Sequence, residues 1–479
     1  MRKMVGALGL AVALLGLVGA AAAETPTERR LRLLEEQLKK AQDEIDRLKG
    51  DIQQQRAIGQ ATQKQAEQAT ETAATAAEAT KKTAGPDTLR AYFKNGLYLE
   101  TADGNFKLQL GALTQVDWNL SYPSRPVEQA FKLTGDSTGV EFRRARLYLA
   151  GLVYGNIDFK AEYDFAETSG GQPAFKDVYI GMSKIPVVQY VRVGHFKEPF
   201  SLEEITPDTY TTFQERSVMS AFDNSPSLNV QDRNTGIGFM PTFLNQRMTF
   251  ATGGFRVTDN FGDNSGTTSP YDVAARLTGL PLYEAGKNLV HLGLSYSHKF
   301  RHDPNDTIGF SSRPEAHLFP VSLVNTGALN THGADLVDPE VALACGPFSL
   351  QGEYTWALVN QVAQSSSTFD GGYVQASYFL TGENRASFYN LKIGAFDRVI
   401  PLNDFSSDGT HWGAWEVAAR MSHLNLTSAA VKGGALDDVT AGVNWYLNPV
   451  TKITTNYVRA HRESVGDSNV VEGRFQLAF

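Results

Sequence analysis

Asn105–Leu120 reads NFKLQLGALTQVDWNL. Apolar side chains fall on Phe106, Leu108, Leu110, Ala112, Val116, Trp118 and Leu120, while Lys107, Gln109, Gln115, Asp117 and Asn119 occupy the alternate face. A period of two is the mark of a β-strand with one apolar and one polar side. The pattern returns in NIDFKAEYDF (156–165), where Ile157, Phe159, Ala161, Tyr163 and Phe165 oppose Asp158, Lys160, Glu162 and Asp164. Here the second face is ionisable at every position. LVHLGLSYSHKF, FSLQGEYTW, DVTAGVNWYL and the terminal VEGRFQLAF repeat it.

A β-sandwich and a membrane barrel both alternate. Sandwich strands average about five or six residues and turn their polar face to bulk water. Several runs here extend to about ten residues and begin or end in Tyr, Trp or Phe, as strands crossing a bilayer between aromatic girdles do. Tight turns at Gly346-Pro347 and Asn448-Pro449 contrast with long polar connections such as Asp259–Pro270 and Arg301–Asn330, an asymmetry of short periplasmic turns and long external loops. The span 89–479, at roughly 24 residues per strand and connection, predicts about sixteen strands. The fold class expected is therefore an all-β membrane protein: an antiparallel transmembrane β-barrel of about sixteen strands, preceded by an N-terminal α-helical coiled coil.

The coiled coil is read from Leu31, Leu34, Leu38, Ala41, Ile45, Leu48 and Ile52, spaced alternately by three and four. A lone amphipathic helix is the competing reading, but the intervening positions are nearly all charged or amide and leave only a narrow seam. Before it, Arg2 and Lys3, the apolar run Met4–Val18 and Ala20–Ala23 have the three parts of a secretory signal peptide, with cleavage expected after Ala23. The expected organisation is a signal peptide over 1–23, a periplasmic coiled coil over 24–59, an Ala/Thr/Gln-rich spacer over 60–88 that breaks at Gly85-Pro86, and the barrel over 89–479.

The chain of 479 residues has a formal charge of -8, which becomes about -10 once Arg2 and Lys3 are removed, and this acidity argues against a nucleic-acid partner. Its single cysteine, Cys345, excludes an internal disulfide, so stability after export must come from packing or from a closed hydrogen-bonded sheet.

Several segments resemble the phosphate-selective porin O and P family: VEFRRARLYLAGLVYGNIDFKAEYDF, VRVGHFKEPFSLEEITPDTYTTFQERS, GGYVQASYFLTGENR, GAWEVAARMSHLNL and GVNWYLNPVTKITTNYVRA, in that order. The resemblance implies a sixteen-stranded bacterial outer-membrane porin in contact with outer-membrane lipid. It further implies a homotrimer, with a lumen narrowed by inward-folded loops and lined by Arg and Lys, and no cofactor. The ending GRFQLAF, closing on Phe479, resembles the strand signature that the barrel-assembly machinery reads.

Alternation then nominates the pore cations. In FRRARLYL, Leu147 and Leu149 belong to the lipid face, so Arg144 and Arg146 share the lumen face and Arg143 faces outward or sits at a strand end. By the same parity Lys107, Lys160, Arg192, Arg247, Arg276, Lys299, Arg420 and Arg474 are lumen candidates. Inward acids such as Asp158, Glu162, Asp164, Glu353, Glu416 and Glu472 could neutralise any one of them. The loop from His195 to Arg216 matches the family's constriction segment and adds Lys197 and Arg216, but it also holds Glu198, Glu203, Glu204, Asp208 and Glu215. Carboxylates within a Debye length of about 10 Å weaken an anion site.

The functional expectation is passive diffusion of small solutes with an anion preference, phosphate or polyphosphate being the candidate. The alternative is a general porin whose coiled coil tethers the envelope through the cell wall. An enzyme has little support, since no nucleophile elbow, phosphate-binding glycine loop or zinc-protease helix is present. His298 and His302 have a metal-like spacing on a helix, but they lie where a strand meets a loop.

Overall fold

The computed structural model describes residues 88–479, except 167–172, 226–227, 229, 266–269, 302 and 304–305, together with six positions between 38 and 46. Those six are helical and exposed. Apart from them the expected coiled coil, the signal peptide and nearly all of the spacer lie outside the described residues, as does His302.

Sixteen strands form the wall. They are β1 Lys107–Pro123, β2 Ser137–Val153, β3 Ile157–Asp164, β4 Ala174–Ile185, β5 Gln189–Lys197, β6 Arg233–Phe239, β7 Met248–Arg256 and β8 Tyr271–Glu284. The second half comprises β9 Asn288–Phe300, β10 Leu329–Cys345, β11 Phe348–Gln361, β12 Ser367–Phe379, β13 Ala414–Thr427, β14 Lys432–Asn448, β15 Thr451–Arg462 and β16 Gly466–Ala478. Each pairs antiparallel with the next, and β16 returns to β1 from Ser468↔Pro123 to Ala478↔Leu113. The sheet is thereby closed and has no free edge along that seam.

A hairpin of Leu89–Phe93 and Leu97–Thr101 precedes the wall. Its second strand pairs with the start of β1, Leu97↔Leu110 to Glu100↔Lys107, and fills the edge that β16 leaves where it ends.

The predicted faces are present. In β1, Leu110, Val116 and Trp118 are exposed to the outside, while Gln115, Asp117 and Asn119 are buried within. Aromatic residues gather at both rims. At the rim carrying the barrel's own termini, residues 88 and 479, Trp415 stacks on Trp445 with centroids 5.1 Å apart; at the other, Tyr163, Phe175 and Phe261 form an edge-to-face series. Cys345 is exposed at the end of β10.

One parity assignment is corrected. The β1–β2 register shifts between Gln115 and Val116, whose partners are Arg144 and Phe142. Arg143 is the extra residue of a β-bulge, so the outward set changes from Val140 and Phe142 to Leu147 and Leu149. Arg143 therefore turns inward beside Arg144, rather than outward, and both its Nε and Nη2 bond Glu215 at 3.0 Å.

The loop asymmetry holds for the short turns 346–347 and 449–450 at one rim and the long connections 257–270 and 301–328 at the other, but it has exceptions. At the rim opposite the termini, the connections 362–366, 428–431 and 463–465 are short; at the terminal rim, 380–413 is long. That long connection folds inward, as 198–232 and 301–328 do from the other rim. Phe200, Val218, Met219 and Phe222 from 198–232 meet Phe310 and Phe319 from 301–328 against Phe369, Leu424 and Leu436 of the wall. Fully burying each such side chain is worth about 1.5–3 kcal/mol, so the cluster is a genuine core inside the barrel. A glycine admits it: a Cβ at Gly371 would lie 3.2 Å from Phe222. The filling lies against β10–β15, and the open space is left on the β1–β8 side.

Candidate functional site

The segment 198–232 begins as β5 ends. Ser201 caps the short helix α1, Leu202–Ile205, accepting from the Glu204 amide at 3.2 Å. Glu353 of β11 docks this end from the wall: one carboxylate oxygen accepts from the Leu202 amide at 2.6 Å and from the Ser201 hydroxyl at 2.7 Å, the other from the Glu203 amide at 2.8 Å. A carboxylate at a helix start satisfies amides that have no helical partner. The opposite end of α1 is held by Arg216, whose guanidinium donates to the carbonyls of Glu203, Glu204 and Thr206.

The acids of this segment are its anchors. Asp208 meets Arg144 at 2.9 Å, Arg146 at 3.1 Å and Arg216 at 2.7 Å. Glu215 meets Arg143 at 3.0 Å and Arg474 at 2.5 Å, and Arg474 also holds Asp117 at 2.7 Å. Glu203 meets Arg420 at 3.1 Å, and Arg420 is further tied to Glu315 of 301–328 at 2.6 Å while lying over the Phe213 ring. The Glu198 carboxylate receives Lys299, which also holds Asp272 at 3.0 Å. Arg144, Arg420, Lys299 and Arg474 thus secure inward segments to the wall, Arg216 braces 198–232 internally through Glu204 and Asp208, and the charge of all five is largely neutralised in doing so.

Between β1–β8, the segment 198–232 and the connection 380–413 lies a cavity of 430 Å³. Eight basic side chains border it: Arg146, Lys160, Arg192, Lys197, Arg233, Arg276, Lys392 and Arg398. Only Glu162, Asp177 and Asp208 oppose them among side chains, with the terminal residue Phe479 also at the margin. All three acids are already engaged: Glu162 and Asp177 by Lys160 at 2.7 and 3.3 Å, Asp177 also by Arg233 at 2.9 Å, and Asp208 by the cluster above. Lys197 is bound by Glu204. Arg276 is held by Glu340 at 2.7 Å and donates to the Ile393 and Gly394 carbonyls, while His291 shares Glu340 at 2.8 Å.

Arg192 differs from these. Among the described residues no carboxylate lies in ion-pair range of it; it rests over the Tyr179 ring at 3.9 Å and donates to the Tyr190 hydroxyl at 3.2 Å. Arg398 is held by carbonyls, those of Pro449 and Ala478 at 2.7 Å, and sits over Tyr210 at 5.2 Å.

Of the sequence candidates, Arg146, Lys160, Arg192, Lys197 and Arg276 come together at the cavity. Arg144, Arg216 and Arg420 stand behind it as anchors. Lys107, at the start of β1, lies over the Tyr98 ring at 4.6 Å, next to the hairpin. Arg247 is not a wall residue: it is exposed in the connection before β7, where its guanidinium bonds the Leu280 and Pro281 carbonyls. Three cavity cations were missed. Arg233 shares the parity of the exposed Ile237 but occupies the first position of β6, where the entering chain turns it inward. Lys392 and Arg398 lie in 380–413, where there is no alternation to read. His298 pairs with Asp335 at 2.7 Å, and among the described residues no group of three His, Cys, Asp or Glu is placed to hold a metal.

A closed sixteen-stranded antiparallel barrel with an apolar outer face and a charged lumen narrowed by inward segments defines an outer-membrane channel of the porin class. The chain belongs to the phosphate-selective porin O and P family, whose model matches residues 115–479. It is 27% identical over 415 residues to porin O of Pseudomonas aeruginosa, covering 78% of this chain and 88% of that protein. An uncharacterized protein of Caulobacter vibrioides is 24% identical over 323 residues, 67% of this chain and 62% of the relative. The anion-selective porin from Comamonas acidovorans has the same fold, with a TM-score of 0.50 at 12% identity, covering 78% of this chain and all of that one.

Proposed function

We propose that the protein is a passive outer-membrane channel that prefers anions, with phosphate and polyphosphate among its solutes. One observation carries this reading: eight basic side chains border the 430 Å³ cavity against three acidic ones, and while Arg146, Lys160, Lys197, Arg233 and Arg276 are in ion pairs, Arg192, Lys392 and Arg398 have no carboxylate in ion-pair range among the described residues. A low-dielectric wall focuses such an excess on any ion in the lumen, attracting anions and repelling cations. Arg146, Lys160, Lys197, Arg192, Arg233, Arg276, Lys392 and Arg398 supply the field, and Arg144, Arg216 and Arg420 hold the inward segments that narrow the path. The test is the reversal potential of single channels in a potassium chloride gradient. A potential of anion-preferring sign supports the reading; a cation-preferring one overturns it.

The working form in this proposal is a homotrimer, with Phe479 serving as an assembly signal at the closing seam and residues 24–59 as a periplasmic coiled coil. Cross-linking of the membrane-extracted protein tests the trimer. Deleting 24–85 tests the coiled coil: unchanged conductance with a loosened envelope marks it as a cell-wall tether.

A further inference from the structure

Three of the cavity's cations lie over tyrosine rings that themselves line the cavity. Arg192 stands 3.9 Å from the Tyr179 centroid, Lys160 5.2 Å from Tyr148 and Arg398 5.2 Å from Tyr210. Pro199, Ile205, Pro207 and Ile393 supply apolar surface from the two inward segments. Inorganic phosphate needs hydrogen-bond donors on every side, and neither ring faces nor these aliphatic groups offer any. At 430 Å³ the cavity also falls in the range, about 300–1,000 Å³, that suits organic ligands.

We infer that the cavity takes organic anions with a planar, apolar body, such as aromatic carboxylates and aryl phosphates, in preference to inorganic phosphate. The inference rests on the anion-channel reading and names the solute class of the same site. Arg192 is its centre. Its guanidinium is planar and weakly hydrated, lies 3.9 Å from the Tyr179 centroid with Phe196 and Tyr190 at 5.4 and 5.5 Å, and has no carboxylate in ion-pair range among the described residues. An aromatic ring stacks on such a plane while its carboxylate or phosphate reaches the cations of the neighbouring strands, and the flat body lies against Ile205, Pro207 and Ile393. A non-planar anion of equal charge forfeits the stack.

The experiment measures block of chloride current through single channels of the full-length protein by phosphate, methyl phosphate, phenyl phosphate, benzoate and cyclohexanecarboxylate. Phenyl phosphate is expected to reach half-block at about one tenth of the concentration needed by phosphate or methyl phosphate, and benzoate to exceed cyclohexanecarboxylate similarly. In R192K, which keeps the charge but loses the plane, both advantages shrink toward unity in pores shown to be assembled by heat-modifiable gel migration. Equal block by planar and non-planar anions in an anion-preferring pore overturns this inference and leaves the proposed function standing. A cation-preferring pore overturns both.

Discussion

Asp208 shows how one residue both builds and limits the pore. Burial alone would push its carboxyl upward, but Arg144, Arg216 and Arg146 outweigh that and hold it well below the usual aspartate range. A depressed carboxyl gives stability that is full above its unfolded value near 3.9 and is lost as pH falls through the folded value. Asp208→Asn therefore leaves Arg144 without a carboxylate, while Arg146 keeps Asp164 and Arg216 keeps Glu204, at a cost of about 3–5 kcal/mol. The melting temperature should fall, and the gap from wild type should stay constant between pH 7 and about pH 5, closing only in stronger acid. Where the variant assembles, loss of this negative charge should shift the reversal potential further toward anions. A gap that closed already near pH 6 would assign the acid sensitivity to another group. The acids of 198–232 count differently in sequence and in space: as charges near an anion site they argue against selectivity, but as ligands of Arg144, Arg146 and Arg216 they are spent on positioning.

At the scale of elements, alternation made the strands and their lipid faces legible, because a closed sheet obliges every second side chain to meet lipid. It failed where the backbone departs from regular pairing. The bulge at Arg143 inverts parity within one strand, and nothing in FRRAR distinguishes a bulged arginine from an outward one. Deleting Arg143 should restore regular pairing with Val140, Phe142, Leu147 and Leu149 all on the lipid face, because Phe142 and Leu147 then stand four positions apart. The expected result is that the deletion variant, like Arg143→Ala, keeps the heat-modifiable folded form and loses the bonds to Glu215; a deletion variant that fails to assemble while Arg143→Ala folds would show that the bulge itself is required. The connection 380–413 was illegible for another reason, since its anchors are tertiary. Arg398 reaches the carbonyl of Pro449 in the β14–β15 turn and that of Ala478 in β16, and Arg385 meets Glu416 at 3.1 Å and the Thr212 hydroxyl at 2.6 Å. Arg398→Ala should release this side of the constriction and raise single-channel conductance; an unchanged conductance would mean that the remaining contacts suffice to hold the connection in place.

Across the whole molecule, the net charge of -8 is a poor guide to selectivity, because the acids and bases are not mixed evenly. Inside the half of the barrel formed by β10–β15, buried carboxylates and apolar side chains pack the inward segments; the β1–β8 half keeps the basic excess around open space. Selectivity of this origin is electrostatic and acts over a distance, so it must respond to ionic strength. The Debye length is about 10 Å at 0.1 M salt and about 3 Å at 1 M. At the lower salt the field of Arg192, Lys392 and Arg398 extends across the cavity, while at the higher it is screened within one ion diameter. The anion-to-cation permeability ratio from reversal potentials should therefore fall steadily between these concentrations. Block by phenyl phosphate should weaken less over the same range, since stacking on the Arg192 plane does not depend on a field acting through solution. If the two declined in parallel, charge alone would govern both, and the tyrosine-backed cations would act only as fixed charges.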